Sequence, residues 1–169
     1  PNGPCIPFVN SWTTGGDFID GVQLGTIENM STGGAFTAAY RDYTAQVADL
    51  MVGQAAPLFI TSGANGGNSY SAWIDYNNDN DFDDTDELLG WIGIADPYAT
   101  ELLIFNVPPG TSLGPKRMRV RCTPTGISDA CVSTALPCSG VRKAPWQSSG
   151  ASGLPSGKPV GVQVRADAR

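Results

Sequence analysis

An acidic run at residues 75–87, DYNNDNDFDDTDE, restricts the fold more than any other feature of the chain. Seven of its 13 residues are acidic. Like charges at this density repel one another and oppose regular structure unless a cation lies among them. We therefore expect this run to form a loop around a positive ion.

The spacing of the oxygen-bearing side chains indicates which ion. With Asp75 as position 1, oxygen ligands recur in the order of an EF-hand-type calcium loop, in which position 7 offers a backbone carbonyl and position 8 is apolar. A ligand set of oxygens, without sulfur or imidazole, favours Ca²⁺ over zinc or copper. The preferred ligands are Asp75, Asn77, Asp79, Asp81 and Asp86, followed by Asp83 and Glu87.

The run departs from that pattern at two positions. Asn80 stands at position 6 in place of Gly, and Asn tolerates the left-handed backbone that this position needs. Asp86 stands at position 12 in place of Glu. The flanking residues 69–74 and 88–94 are rich in aromatic and β-branched types, which are typical of strands. We therefore predict a calcium loop on a β-hairpin; the alternative is a solvated acidic hairpin tip.

The rest of the chain indicates an all-β fold. With 21 Gly and 13 Pro among 169 residues and no long amphipathic pattern, the sequence predicts a single β-sandwich of about eight or nine strands, Greek-key or jelly-roll in style. Residues 116–123 (KRMRVRCT) alternate strictly, so one face is expected to be buried. Their three arginines predict a solvated face, with an anion site as the alternative.

Charge and composition divide the chain into three parts. Residues 1–138 form the predicted sandwich body and carry a net charge of −10. Residues 139–156 are rich in Ser, Gly and Pro and are expected to be a linker or long loop. Residues 157–169 predict a terminal strand, paired within its own domain or donated to a neighbouring subunit. The last 31 residues carry +4, so this tail could dock on its own body or on the next copy.

The cysteines suggest an oxidising location. Four cysteines without a CxxC pair predict two disulfides, of which we favour Cys122–Cys131 and Cys5–Cys138; four free thiols are the alternative. Because the chain starts at Pro1, we expect a processed mature form or an excised fragment. No 18-residue apolar run is present, so we expect no membrane span.

Several stretches resemble the GEVED domain, a β-sandwich module of secreted and surface bacterial proteins. They are SAWIDYNNDNDFDDTDELL, GPKRMRVRCT and the Pro137-Cys138 pair, together with the earlier DFIDGVQLGTIENMSTG and YRDYT. The resemblance covers roughly residues 5–138. The late motif that names the family is missing; Gly157-Lys158-Pro159-Val160-Gly161 stands nearest to it. The resemblance implies an extracellular, non-catalytic module.

The sequence also restricts function. The chain has no His, which removes Ser-His-Asp and Cys-His nucleophiles, and its acidic body argues against nucleic acid as a partner. We expect a non-catalytic subunit of an extracellular or cell-surface filament, joined head-to-tail by a donated strand and stabilised by Ca²⁺. The alternative is a module that binds glycans or other surface proteins. Its candidate stacking residues are Trp12, Trp73, Trp91 and Trp146, although core packing is the simpler role for Trp73 and Trp91.

Overall fold

The predicted all-β sandwich is confirmed. The computed structural model describes residues 16–31, 41–124, 126–127, 129–130 and the backbone of 159–167. This part of the chain contains nine strands. They are β1 Ile19–Leu24, β2 Ile27–Asn29, β3 Val47–Met51, β4 Ala55–Ser62, β5 Asn68–Asp75, β6 Leu88–Ile94, β7 Thr100–Asn106, β8 Lys116–Thr123 and β9 Pro159–Asp167.

The strands form two sheets. The first has the order β2-β1-β4-β7 and the second the order β3-β9-β8-β5-β6. All neighbours are antiparallel except β8 and β9, which run parallel. Because this pair is parallel, both strands start at the same end of the sheet, where Lys116 lies opposite Val162.

The core lies between the two sheets and follows from strand alternation. In β8, the side chains of Met118, Val120 and Cys122 are fully buried and face the first sheet. Alternate residues of β4 do the same from the other side, where Leu58 and Ile60 have no exposed surface. Each such side chain contributes about 1.5–3 kcal/mol on burial.

Residues 17–27 contain β1, a tight turn and the start of β2. Gly25 has a φ of +55° at that turn, a backbone region that favours glycine. β1 also has an irregular register, or bulge, between Ile19 and Gly21.

The prediction of a solvated arginine face on β8 is wrong. Arg119 is fully buried, Arg121 is 5% exposed, and Arg117 is partly buried. The physical reason is that the chain after β8 folds back over them: Arg119 Nη1 donates a 2.7 Å hydrogen bond to the Ala130 carbonyl. Sequence alternation marks two faces of a strand but does not show what covers the second face.

The predicted terminal strand is present as β9, between β3 and β8 of the chain's own second sheet. The predicted linker, 139–156, lies outside the described residues. No helix in the described part of the chain has the length and apolarity that crossing a membrane requires.

Candidate metal centre

The acidic run lies at the tip of the hairpin that joins β5 to β6, as predicted. β5 and β6 pair antiparallel, and the Ile74 amide donates to the Glu87 carbonyl at 2.9 Å, closing the base of the loop. Asn80 has a φ of +76°, the left-handed backbone expected at position 6. Phe82 is 4% exposed and anchors the loop against the sheet.

Side-chain oxygens shape the loop by accepting backbone amides. Asp75, at the end of β5, accepts from the amides of Asn78 at 2.6 Å and Asn80 at 3.2 Å. A run of Asx turns follows, in which Asn77, Asp79 and Asp81 each accept from the amide two residues later. These bonds fix the backbone conformation of the loop.

Three carboxylates converge in this loop. Oxygens of Asp75, Asp79 and Glu87 all lie within 4.8 Å of one another. Asp75 is 2% exposed and Glu87 is 1% exposed, whereas Asp79 faces solvent. Like charges this close repel, so the arrangement is stable only with a cation or bound protons among the oxygens.

Glu87 carries the clearest sign of a missing partner. Its Oε1 accepts from the Tyr76 amide at 3.0 Å, but its buried Oε2 has no hydrogen-bond partner among the described residues. Burial, reinforced by the nearby Asp75 carboxylate, raises the pKa of Glu87 to about 7. Burial also raises the pKa of Asp75. A buried, unpaired carboxylate oxygen costs free energy, and a bound cation removes that cost.

Two of the predicted ligands differ in their placement. The sequence placed Asp86 ahead of Glu87, but Asp86 is exposed and lies outside the convergent group. Glu87 belongs to that group; its backbone carbonyl accepts from the Ile74 amide and its side chain is buried. The span from Asp75 to Glu87 is one residue longer than the 12-residue EF-hand loop.

The other predicted ligands occupy the rim. Asn77 donates its side-chain amide to the carboxylates of Asp79 and Asp84, so it orients acidic groups. Asp81 is half-buried, and Asp83 is exposed. Neither belongs to the group of three convergent carboxylates.

Sequence reasoning missed two positively charged side chains behind the loop, those of Lys116 and Arg117. Lys116 is 1% exposed at the start of β8, and its Nζ donates to Ser112 Oγ at 2.8 Å. Burial lowers the pKa of this lysine, while the nearby Asp75 opposes that effect. Arg117 Nη1 lies 3.4 Å from Asn80 Oδ1. Both residues line an open pocket of about 260 Å³ together with loop residues Asp75, Asn78 and Asn80. The antiparallel pairing of β5 with β8 places Asp75 opposite Arg117, so a prediction of that pairing would have identified both residues.

The donor set fits a hard divalent cation. All the convergent atoms are carboxylate oxygens, two of the three residues are buried, and one buried oxygen has no other partner in the described residues. Backbone carbonyls and water complete such sites in calcium proteins.

The predicted disulfides stay predictions. Cys122 is fully buried in the core. Cys5, Cys131 and Cys138, the other members of the two favoured pairs, lie outside the described residues.

Comparison with known families bears on this same hairpin. The GEVED domain model matches residues 69–140, which include β5, the acidic loop, β6, β7 and β8. Over this segment, the chain is similar to the GEVED domain. The resemblance drawn from the acidic loop and the RMRV strand is thereby confirmed over these residues. Searches of curated proteins and of solved structures found no match.

GEVED domains are modules of extracellular and surface proteins of bacteria, which agrees with the expected setting of this chain. The matched segment contains the metal candidate and both arginines that are buried on β8. It ends before β9, so the diverged residues 157–161 lie outside the match.

Proposed function

We propose that this protein is a non-catalytic, extracellular structural module whose GEVED hairpin is held by one Ca²⁺. The observation that carries the proposal is the buried Glu87 carboxylate, which converges with those of Asp75 and Asp79 and whose Oε2 has no hydrogen-bond partner in the described residues. The ion would neutralise three carboxylates and fix the hairpin on the sheet. Its role is therefore stability and not chemistry.

Calcium affinity at an extracellular site of this kind is expected on the order of 10⁻⁴ to 10⁻³ M. Thermal unfolding with chelator and with rising calcium tests it, since binding to the native state raises the melting temperature by mass action. Magnesium at equal concentration is the control, because its small octahedral shell suits this site poorly. Identical melting curves with chelator and with calcium would remove the metal from the proposal.

The module's larger role is proposed as a subunit of a surface filament. The position of β9 supports this, because a strand near the end of the chain fills an interior slot between β3 and β8. A neighbour's β9 could fill the same slot by the same backbone hydrogen bonds, and such a head-to-tail contact repeats into a fibre unless it closes into a ring.

Sedimentation velocity and negative-stain microscopy of the full chain test the filament role. Fibres or a concentration-dependent ladder of oligomers are expected, and deletion of residues 139–169 should abolish both. Fibres that persist after this deletion would contradict strand donation. A full chain that stays monomeric at every concentration would contradict the filament role.

A binding role is favoured by one observation. Trp91 of β6 is 47% exposed, so its expected core role is wrong, and its ring lies on the outer face of the second sheet. Exposed tryptophans stack on sugar rings or insert into protein partners. Trp73, by contrast, is 3% exposed and packs as expected. A glycan array comparing the native chain with Trp91→Ala would show binding that depends on Trp91 if this role holds, and no binding if it does not.

A further inference from the structure

The chain that leaves β8 is fixed to the outer face of the second sheet. At the last residue of β8, Thr123 Oγ1 donates to the Gly126 carbonyl at 3.0 Å. The Gly126 amide donates to Ser69 Oγ on β5, also at 3.0 Å. These bonds turn the chain sharply and lay it back over the sheet.

The two buried arginines of β8 then hold the returning chain. Arg121 donates to the Asp129 carbonyl, and Arg119 donates to the Ala130 carbonyl at 2.7 Å. As the chain advances from 129 to 130, its contacts therefore move back along β8 toward Lys116. β9 begins at that same end, because Lys116 lies opposite Val162 in the parallel pair. Arg119, which holds the returning chain, lies opposite Arg165 of β9 in the same pair.

The metal loop supplies the other side of this contact. Phe82, in the middle of the loop, packs with Trp73 and Ala130 in a small apolar cluster separate from the main core. The Arg119 guanidinium carbon lies 4.7 Å from the centre of the Phe82 ring. One arginine therefore contacts both the calcium loop and the chain that leads to β9.

We propose that Phe82 couples calcium binding to the placement of β9. When the carboxylates of Asp75, Asp79 and Glu87 share a cation, the loop conformation that seats Phe82 on Arg119 is stabilised. Arg119 and Ala130 are then fixed, and β8 keeps the register in which Arg119 lies opposite Arg165, so β9 stays in its own sheet. Without the cation, carboxylate repulsion loosens the loop, Phe82 leaves the cluster, and β9 opens more often for exchange between copies. This coupling rests on the proposed calcium site.

Hydrogen exchange of the full chain, read by mass spectrometry with and without calcium, tests the coupling. Calcium raises the stability of the whole fold and so slows exchange everywhere. The informative quantity is therefore the slowing at β9 relative to that at β4, a core strand of the other sheet. We expect calcium to protect β9 about tenfold more than β4, within the usual range of coupling between sites.

Two variants separate the coupling from folding and from binding. Phe82→Leu retains an apolar side chain but loses the aromatic face, and Arg119→Lys retains the charge but loses the planar group over the ring. Each should still bind calcium by calorimetry while its β9 protection falls to that of β4. Leu113→Ala, at a residue 55% exposed before β8, is the control and should behave as the native chain.

The outcomes distinguish this inference from the proposed function. If the native chain binds calcium but β9 and β4 respond equally, the coupling is overturned and the calcium site stands. Full β9 protection in both Phe82→Leu and Arg119→Lys likewise overturns it. If the native chain binds no calcium, the proposed calcium site fails and the coupling fails with it.

Discussion

Replacing Glu87 by Gln should stabilise the chain in chelator, and calcium should remove most of that advantage. In chelator, the native carboxylate must stay buried beside Asp75, and its pKa is raised from 4.5 to about 7. At about pH 8 its ionisation therefore costs the folded state about 3 kcal/mol, at 1.36 kcal/mol per pKa unit. Gln keeps the oxygen that accepts the Tyr76 amide and adds a donor for the neighbouring carboxylates. The variant should thus be more stable than the native chain in chelator.

With calcium the difference should nearly close. At a calcium concentration of about 100 times the dissociation constant, the native chain gains about 2.7 kcal/mol, whereas Glu87→Gln loses a charged ligand and most of that gain. Urea unfolding followed by tryptophan fluorescence measures both conditions, and Trp73 lies near the loop. Equal stabilities in chelator, or an undiminished calcium gain in the variant, would refute the account of Glu87.

Three further predictions concern pH, backbone packing and the buried arginine. In chelator, the native chain should lose stability as pH rises from about 4.5 to 7, because the folded state holds the Glu87 proton more tightly than the unfolded chain does; a rise or a flat profile in urea midpoints would contradict this sign. Gly66→Ala should destabilise the fold by roughly 3 kcal/mol, because the added Cβ would clash with the Ala95 carbonyl oxygen. Gly110→Ala is the control: its added Cβ has no neighbouring atom within 4 Å, so the melting temperature should stay unchanged. Arg119→Ala should cost about 3 kcal/mol in urea unfolding, since it removes a buried charged donor and a desolvated cation–π contact; a cost near zero would show that the contact carries no stability.

Local patterns predicted most of the strands because they record which side chains meet the core. β6 and β8 have the predicted bounds, since their flanking turns and alternation are clear in sequence. Alternation failed on the second face of β8, where Arg119 and Arg121 are buried. Their cover comes from residues 126–130, which follow β8 but return over it, and no local pattern encodes that return.

The acidic hairpin loop lies where the sequence predicted it, but the sequence did not predict which of its carboxylates converge. The density of acids fixed the loop, and the two flanking strands fixed its setting on a hairpin. Glu87 is turned inward because it is the residue next to β6, so the choice between Asp86 and Glu87 depends on where β6 begins. The register that pairs Trp73 with Leu88 sets this start, and that register is a property of the folded sheet.

Calorimetric titration of calcium tests the central claim most directly, using Asp86→Asn and Glu87→Gln as a matched pair. The account predicts one calcium per native chain, a similar affinity in Asp86→Asn, and an affinity at least about tenfold weaker in Glu87→Gln, a difference of about 1.4 kcal/mol. No binding by the native chain, or a loss in Asp86→Asn as large as that in Glu87→Gln, would contradict it.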